Sequence, residues 1–165
     1  MRTICSLCTP LAPPLACAHA ACIALTRPQV FGRKDYQQFK LLCRMVRDLD
    51  VGVRMVGAPL LREPDGLALS SRNVRLMPDE RERALAISRA LRAAAEGVAA
   101  GRRDAPVLRD EVAAAITAAG GDVDYVEVVS QDSLAPLAAL DAPGVIVVAA
   151  RFGSVRLLDN MEISP

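Results

Sequence analysis

Two stretches of the chain concentrate side chains that handle anions. The first is Phe31-Gly32-Arg33-Lys34-Asp35-Tyr36-Gln37-Gln38, and the second is Arg62-Glu63-Pro64-Asp65-Gly66-Leu67-Ala68-Leu69-Ser70-Ser71-Arg72-Asn73. Lys34 and Arg72 are of the type that neutralises phosphate oxygens. Ser70 and Ser71 place hydroxyl donors beside Arg72, Asp35 can accept from a ribose hydroxyl, and Gln38 can bond a carboxylate or a hydroxyl. Gly32 and Gly66 lack a Cβ, so the backbone there can approach a ligand closely. The chemistry that these groups suit is the binding of a nucleotide beside an anionic acid. Taken singly, a Gly-x-Lys-Asp turn is an ordinary solvated loop and Ser-Ser-Arg-Asn an ordinary helix cap. Their order and spacing, with Glu-Pro-Asp-Gly between them, favour one shared site.

Elements must hold these stretches in place. Phe39, Leu42, Cys43, Val46 and Leu49 recur at helical spacing, so Tyr36 to Leu49 is predicted as an amphipathic helix with these residues toward the core. Val51 to Gly57 alternates loosely and reads as a short strand ended by Pro59. Glu63-Pro64-Asp65-Gly66 is turn chemistry. A helix is expected from Pro78, with Asp79 and Glu80 at the positive end of its dipole, and it stops before Gly101. Leu85, Leu91, Ala95 and Val98 are its predicted core face. Asp104 caps a second helix over 106–119, with Leu108, Val112 and Ile116 inward and Gly120-Gly121 as its terminator. Strands follow at 124–129, 145–151 and 155–160, the last two joined through Phe152-Gly153-Ser154 as a hairpin. The stretch Arg75, Arg81, Arg83, Arg89, Arg92, interleaved with Glu80, Glu82 and Glu96, reads as a solvated helix face.

The chain of 165 residues suffices for one ordinary domain or two small lobes. Hydrophobic residues make up 52% and aromatics 3%, with no Trp, so Leu, Val, Ile and Ala must fill the core. A net charge of +1 argues against a general nucleic-acid binder. No apolar run approaches the ~20 residues of a membrane helix. Cys5, Cys8, Cys17, Cys22 and Cys43 form an odd set crowded at one end, which favours a reducing, cytoplasmic setting over a disulfide framework.

Residues 1–26 differ in character, with Pro10, Pro13, Pro14, four Cys and no acidic residue. Cys5, Cys8, Cys17, His19 and Cys22 are of zinc-ligand type, but their spacing fits no strong pattern. Arg2, an apolar middle and Ala18-His19-Ala20 are signal-like, yet prolines break the apolar segment. The preferred expectation is a non-native or disordered leader, with His19 incidental.

In their order and spacing, the two anion-handling stretches closely resemble pantothenate synthetase, the pantoate–β-alanine ligase family, from about Arg27 onward. The resemblance implies an α/β fold: the C-terminal fragment of a Rossmann-like nucleotidyltransferase domain over 27–75, and a small α+β lobe with an antiparallel sheet over 76–165. It implies ATP-dependent joining of pantoate to β-alanine through pantoyl adenylate, with Mg²⁺ accompanying ATP and a homodimeric assembly. By motif, it assigns Gly32, Arg33, Lys34 and Asp35 to an ATP-contacting turn, Gln38 to pantoate, and the Leu61 backbone to adenine. Leu69, Ser70, Ser71 and Arg72 correspond to a flexible phosphate-binding loop. Lys34, Ser70, Ser71 and Arg72 would carry the catalysis.

Three departures accompany the resemblance. Many family members carry Glu where this chain has Arg33. The spacing from Arg27-Pro28 to Phe31-Gly32 is shorter than usual. The family's Met-Gly-Ala-Leu-His-x-Gly-His motif and its pantoate-binding glutamine have no counterpart. A truncated ligase is therefore expected, the alternative being a non-catalytic nucleotide-binding remnant or partner module.

Overall fold

A computed structural model describes residues 28–165; the Cys and His residues at 5–22 lie outside them. The chain is α/β. A short strand β1 (Gln29–Gly32) leads through a turn into helix α1 (Tyr36–Asp48), and the chain returns as β2 (Met55–Ala58). β1 and β2 pair in parallel, with Gln29 opposite Met55 and Gly32 opposite Ala58. α1 covers this ribbon through Phe39, whose ring lies so close to β2 that a Cβ on Gly57 would fall 2.7 Å from it.

Two sequence expectations change here. Residues 51–54 are not in the strand, because the ladder pairs only Met55–Ala58 with β1, and Val53 N instead bonds the nearby Val51 carbonyl. Leu49 is not core but 67% exposed. It follows the last helical residue and precedes Asp50, whose φ of 49° turns the chain away. Phe39, Leu42, Cys43 and Val46 are half-buried.

A loop and a single 3-10 turn (Asn73–Arg75) then lead to α2 (Pro78–Ala99) and α3 (Ala105–Ala118). Glu80 accepts from the Met77 amide at the start of α2, and Asp104 caps α3 by accepting from Val107 N at 2.9 Å. Such caps satisfy amides that the helix leaves without partners. Strands β3 (Asp122–Ser130), β4 (Gly144–Phe152) and β5 (Val155–Ile163) form an antiparallel sheet in the order β3-β4-β5. Gly153, at φ 57°, makes the β4–β5 turn.

One face of this sheet packs on α2 and α3. Ile87, Leu91, Leu108, Ile116, Ile146 and Phe152 are almost wholly enclosed there. The face of α2 is rotated from the expected one: Ala84, Ile87, Leu91, Ala94 and Val98 point inward, while Leu85 and Ala95 flank the core half-buried. A period of 3.6 residues joins positions three and four apart, and Ile87 fixes the phase. The opposite face of the sheet, with Tyr125, Glu127, Val147 and Leu158, looks toward α1 and the β1–α1 turn.

Candidate functional site

The first anion-handling stretch becomes the turn from β1 into α1. Its course is fixed by Arg33 N bonding the Ala58 carbonyl of β2, and by Asn160 of β5, whose Nδ2 donates to the carbonyls of Arg33 (2.9 Å) and Lys34 (2.8 Å). The Arg33 guanidinium donates to both carboxylate oxygens of Glu162 at 2.8 Å, away from the site's mouth. Lys34 points the other way and donates from Nζ to the Leu69 carbonyl at 2.9 Å. Asp35 occupies the N-cap position of α1 but makes no side-chain cap, so its exposed carboxylate stays available at a helix N-terminus.

The second stretch becomes a narrow strap. Leu69 N bonds the Leu61 carbonyl and Glu63 N the Leu67 carbonyl, closing a loop around Gly66. Gly66 sits at φ 99°, where a side chain is disfavoured. Arg62 forks onto buried Asp159 at 2.7 and 2.9 Å and also donates to the Gly66 carbonyl. Arg81 of α2 donates to Glu63 at 2.6 Å and to Asp65 at 2.5 Å, so this arginine is a strap anchor and not a solvated helix face. Buried Asn73 donates to Glu63 and to the Ala68 carbonyl. Beyond these anchors, Ser70 Oγ accepts from Arg72 N at 3.2 Å, and the Ser71 and Arg72 side chains face solvent.

Turn and strap meet. Lys34, Asp35, Leu69, Ser70, Ser71 and Arg72 line one cavity of about 300 Å³, with Arg156 and Leu158 of β5. A neighbouring cavity of about 660 Å³ shares Lys34, Asp35, Arg156 and Leu158 and adds Gln38 at the start of α1. Gly32, Arg33 and Leu61 line neither, and the Leu61 side chain is exposed.

The electrostatics favour an anion. Burial pushes the Lys34 ammonium below the ordinary lysine range, and Arg72 adds to this, while Asp159, Asp35 and Glu63 oppose it. An incoming phosphate would relieve that cost by supplying a counter-charge. Burial also pushes the Asp159 carboxyl upward, with the Arg62 fork opposing it. Burial and the nearby Glu162 carboxylate push the Tyr36 phenol up to about 12, so this hydroxyl stays protonated.

Sequence reasoning missed Arg62, Arg156, Asp159 and Asn160 as site residues. Arg156 lines both cavities; its guanidinium is held by Asp124 and lies 5.9 Å from the Tyr125 ring centre. The available signal was the adjacent polar pair Asp159-Asn160 in the middle of the last strand, where one of two neighbouring side chains must lie on the covered face and needs a dedicated partner.

Comparison with known proteins decides the family. The family model described as pantoate-beta-alanine ligase matches residues 21–162. The chain belongs to this family. Curated relatives include a pantothenate synthetase of Anaeromyxobacter dehalogenans, 56% identical over 138 residues, and a pantoate--beta-alanine ligase of Oryza sativa subsp. japonica, 53% identical over 134 residues. These matches cover 82% and 81% of the chain but only 48% and 43% of the relatives, so the chain spans about half the length of the curated ligases it matches. Among solved structures, the pantothenate synthetase of Thermus thermophilus superposes with a TM-score of 0.80 at 39% identity, covering 90% of this chain and 54% of that one. The pantoate-beta-alanine ligase of Francisella tularensis, complexed with beta-gamma ATP and beta-alanine, superposes with a TM-score of 0.61 at 27% identity, covering 88% and 47%.

Proposed function

We propose that this chain serves the ATP-dependent condensation of pantoate with β-alanine to give pantothenate. In the first step a pantoate carboxylate oxygen attacks the α-phosphorus of ATP. Pyrophosphate leaves and pantoyl adenylate forms. In the second, the β-alanine amine attacks the acyl carbonyl and AMP leaves with the electron pair of the acyl–oxygen bond. Adenylation makes a poor leaving oxygen a good one, and the protein's task is positioning and charge neutralisation.

The carrying observation is the contact of Lys34 with the Leu69 carbonyl, which joins two stretches 35 residues apart around one cavity. In this reading Lys34, Ser70, Ser71 and Arg72 face the phosphates and stabilise departing pyrophosphate. Asp35 takes the ribose and Gln38 the pantoate. Gly32, Arg33 and Leu61 contribute backbone only, since the Arg33 guanidinium belongs to Glu162 and Leu61 faces outward. Mg²⁺ enters as a companion of the triphosphate. Among the described residues no group of three or more His, Cys, Asp or Glu fits a protein-held ion, so no step is assigned to it.

We divide the described chain at residue 75 into a partial Rossmann-like ATP-binding part and a C-terminal lobe. A homodimer in the cytoplasm completes the proposal. Cys43 is a free thiol, and no helix among the described residues is long and apolar enough to cross a membrane. Among the described residues, Lys34, Arg72 and Arg156 are the cations that line the two cavities, a sparse set for a triphosphate. We therefore read the described residues as carrying roughly half of the ligand shell that the reaction needs. The expected outcome is that the 165-residue chain alone releases no AMP in the presence of ATP, pantoate and β-alanine, while still binding ATP. Robust turnover would overturn the half-shell reading. Failure to bind ATP at millimolar concentration would overturn the nucleotide assignment itself.

A further inference from the structure

The edge strand β5 does more than complete the sheet. Successive side chains of a strand point to opposite faces. Asp159 therefore meets Arg62 of the strap on one side, while Asn160 meets the β1–α1 turn on the other. We propose that Asn160 is a positioning residue, seating the turn so that the Lys34 ammonium reaches the Leu69 carbonyl across the phosphate cavity.

Both hydrogens of its amide nitrogen are committed, one to the Arg33 carbonyl and one to the Lys34 carbonyl, at 2.9 and 2.8 Å. No other described residue bonds these two carbonyls across the interface between turn and sheet. Asn160 is 7% exposed and Asp159 5% exposed. Burying such a pair is unfavourable unless every group finds a partner in a fixed geometry, so the network specifies placement more than it adds stability. Asp159 locks the same backbone by accepting from Asn160 N at 2.7 Å. One dipeptide thus references turn and strap to a common strand, while the Lys34 side chain is left free to point into the cavity.

The inference rests on the proposed nucleotide site only for its ATP measurement. The chain has two lysines, Lys34 and Lys40, which makes amine labelling informative. The full chain and Asn160→Ala are labelled with trace acetic anhydride across pH, and the two peptides are quantified by mass spectrometry, with Lys40 as reference. In the wild type, burial holds the Lys34 titration below 10.5, with Arg72 acting in the same direction and Asp159, Asp35 and Glu63 against it. In folded Asn160→Ala, verified by circular dichroism, the Lys34 titration rises toward 10.5 because the ammonium regains water. ATP affinity by calorimetry falls roughly tenfold, the equivalent of a hydrogen bond or two. An unchanged Lys34 titration in folded Asn160→Ala overturns the proposal. If the wild type binds no ATP, the nucleotide assignment fails, but the labelling result still decides the role of Asn160. Should Asn160→Ala not fold, Asn160→Ser, which keeps one donor, is expected to give a smaller shift in the same direction, and no shift overturns the proposal.

Discussion

Arg33 and Lys34 are neighbours in sequence and opposites in placement. Arg33 turns down to Glu162 of β5, and Lys34 turns across to Leu69. Adjacent cations thereby take separate tasks, one fastening the turn and the other facing the cavity. Because Arg33 and Glu162 are each about a third exposed, with 33% and 38% of their side-chain surface in water, their pair is screened. Arg33→Gln should therefore cost no more than about 1 kcal/mol in chemical denaturation. Lys34→Ala and Arg72→Ala remove charges that line the cavity, and calorimetry should show ATP binding weakened more than about tenfold for each. Arg89 is exposed on α2 and lines neither cavity, so Arg89→Ala should leave affinity within about twofold. Equal losses at all three positions would remove Lys34 and Arg72 from the site.

The strap is the element whose shape depends most on side chains. Glu63 and Asp65 are its acidic feet. Hydrogen bonds from Asn73 and then Arg81 hold the Glu63 carboxyl below its usual 4.5, and the Leu67 amide and then Arg81 hold the Asp65 carboxyl below its usual 3.8. The fold thus favours both charged forms. Their stabilisation is present above those usual values and is lost as pH falls through the lower folded ones. Thermal melts should show stability declining from about pH 5 toward about pH 2, and Arg81→Met should melt lower near neutrality with a shallower acid slope. Parallel acid profiles for the two proteins would mean that Arg81 does not govern these carboxyls. The same network explains why only the tip, at Ser70 to Arg72, is left without side-chain anchors: Arg62, Asn73 and Arg81 all grip the strap before it.

Across the whole molecule, apolar side chains are unevenly covered. Leu91 and Ile146 are fully enclosed between α2, α3 and the antiparallel sheet, whereas Leu41, Met45 and Leu49 at α1 are largely exposed. A two-stranded parallel ribbon with one helix buries little, and parallel sheets are normally covered on both faces. Leu91→Ala should cost about 2–4 kcal/mol in denaturant unfolding, through lost burial and a cavity. Leu42→Ala, at a half-buried site on α1, should cost about 1 kcal/mol or less. Comparable losses would show that both regions share one tightly packed core.

The sequence alone determined the order of elements from the helix at Tyr36 onward, though not strand β1, because helical periodicity, the Asp104 cap and the glycine turns are local signals. It also singled out the two stretches that the fold brings to one cavity, since cations and hydroxyls stand out there in type and spacing. It did not determine the phase of α2, because Ala and Leu alternate so densely there that several faces look apolar until the sheet selects one. Nor did it determine which way Arg33 points, or that Arg81 anchors the strap. Those outcomes depend on Glu162, Glu63 and Asp65, which lie 129, 18 and 16 residues away. The polar pair Asp159-Asn160 was legible as a signal, but the partners of Asn160 were not, because its bonds to the Arg33 and Lys34 carbonyls exist only once β5 lies beside the turn.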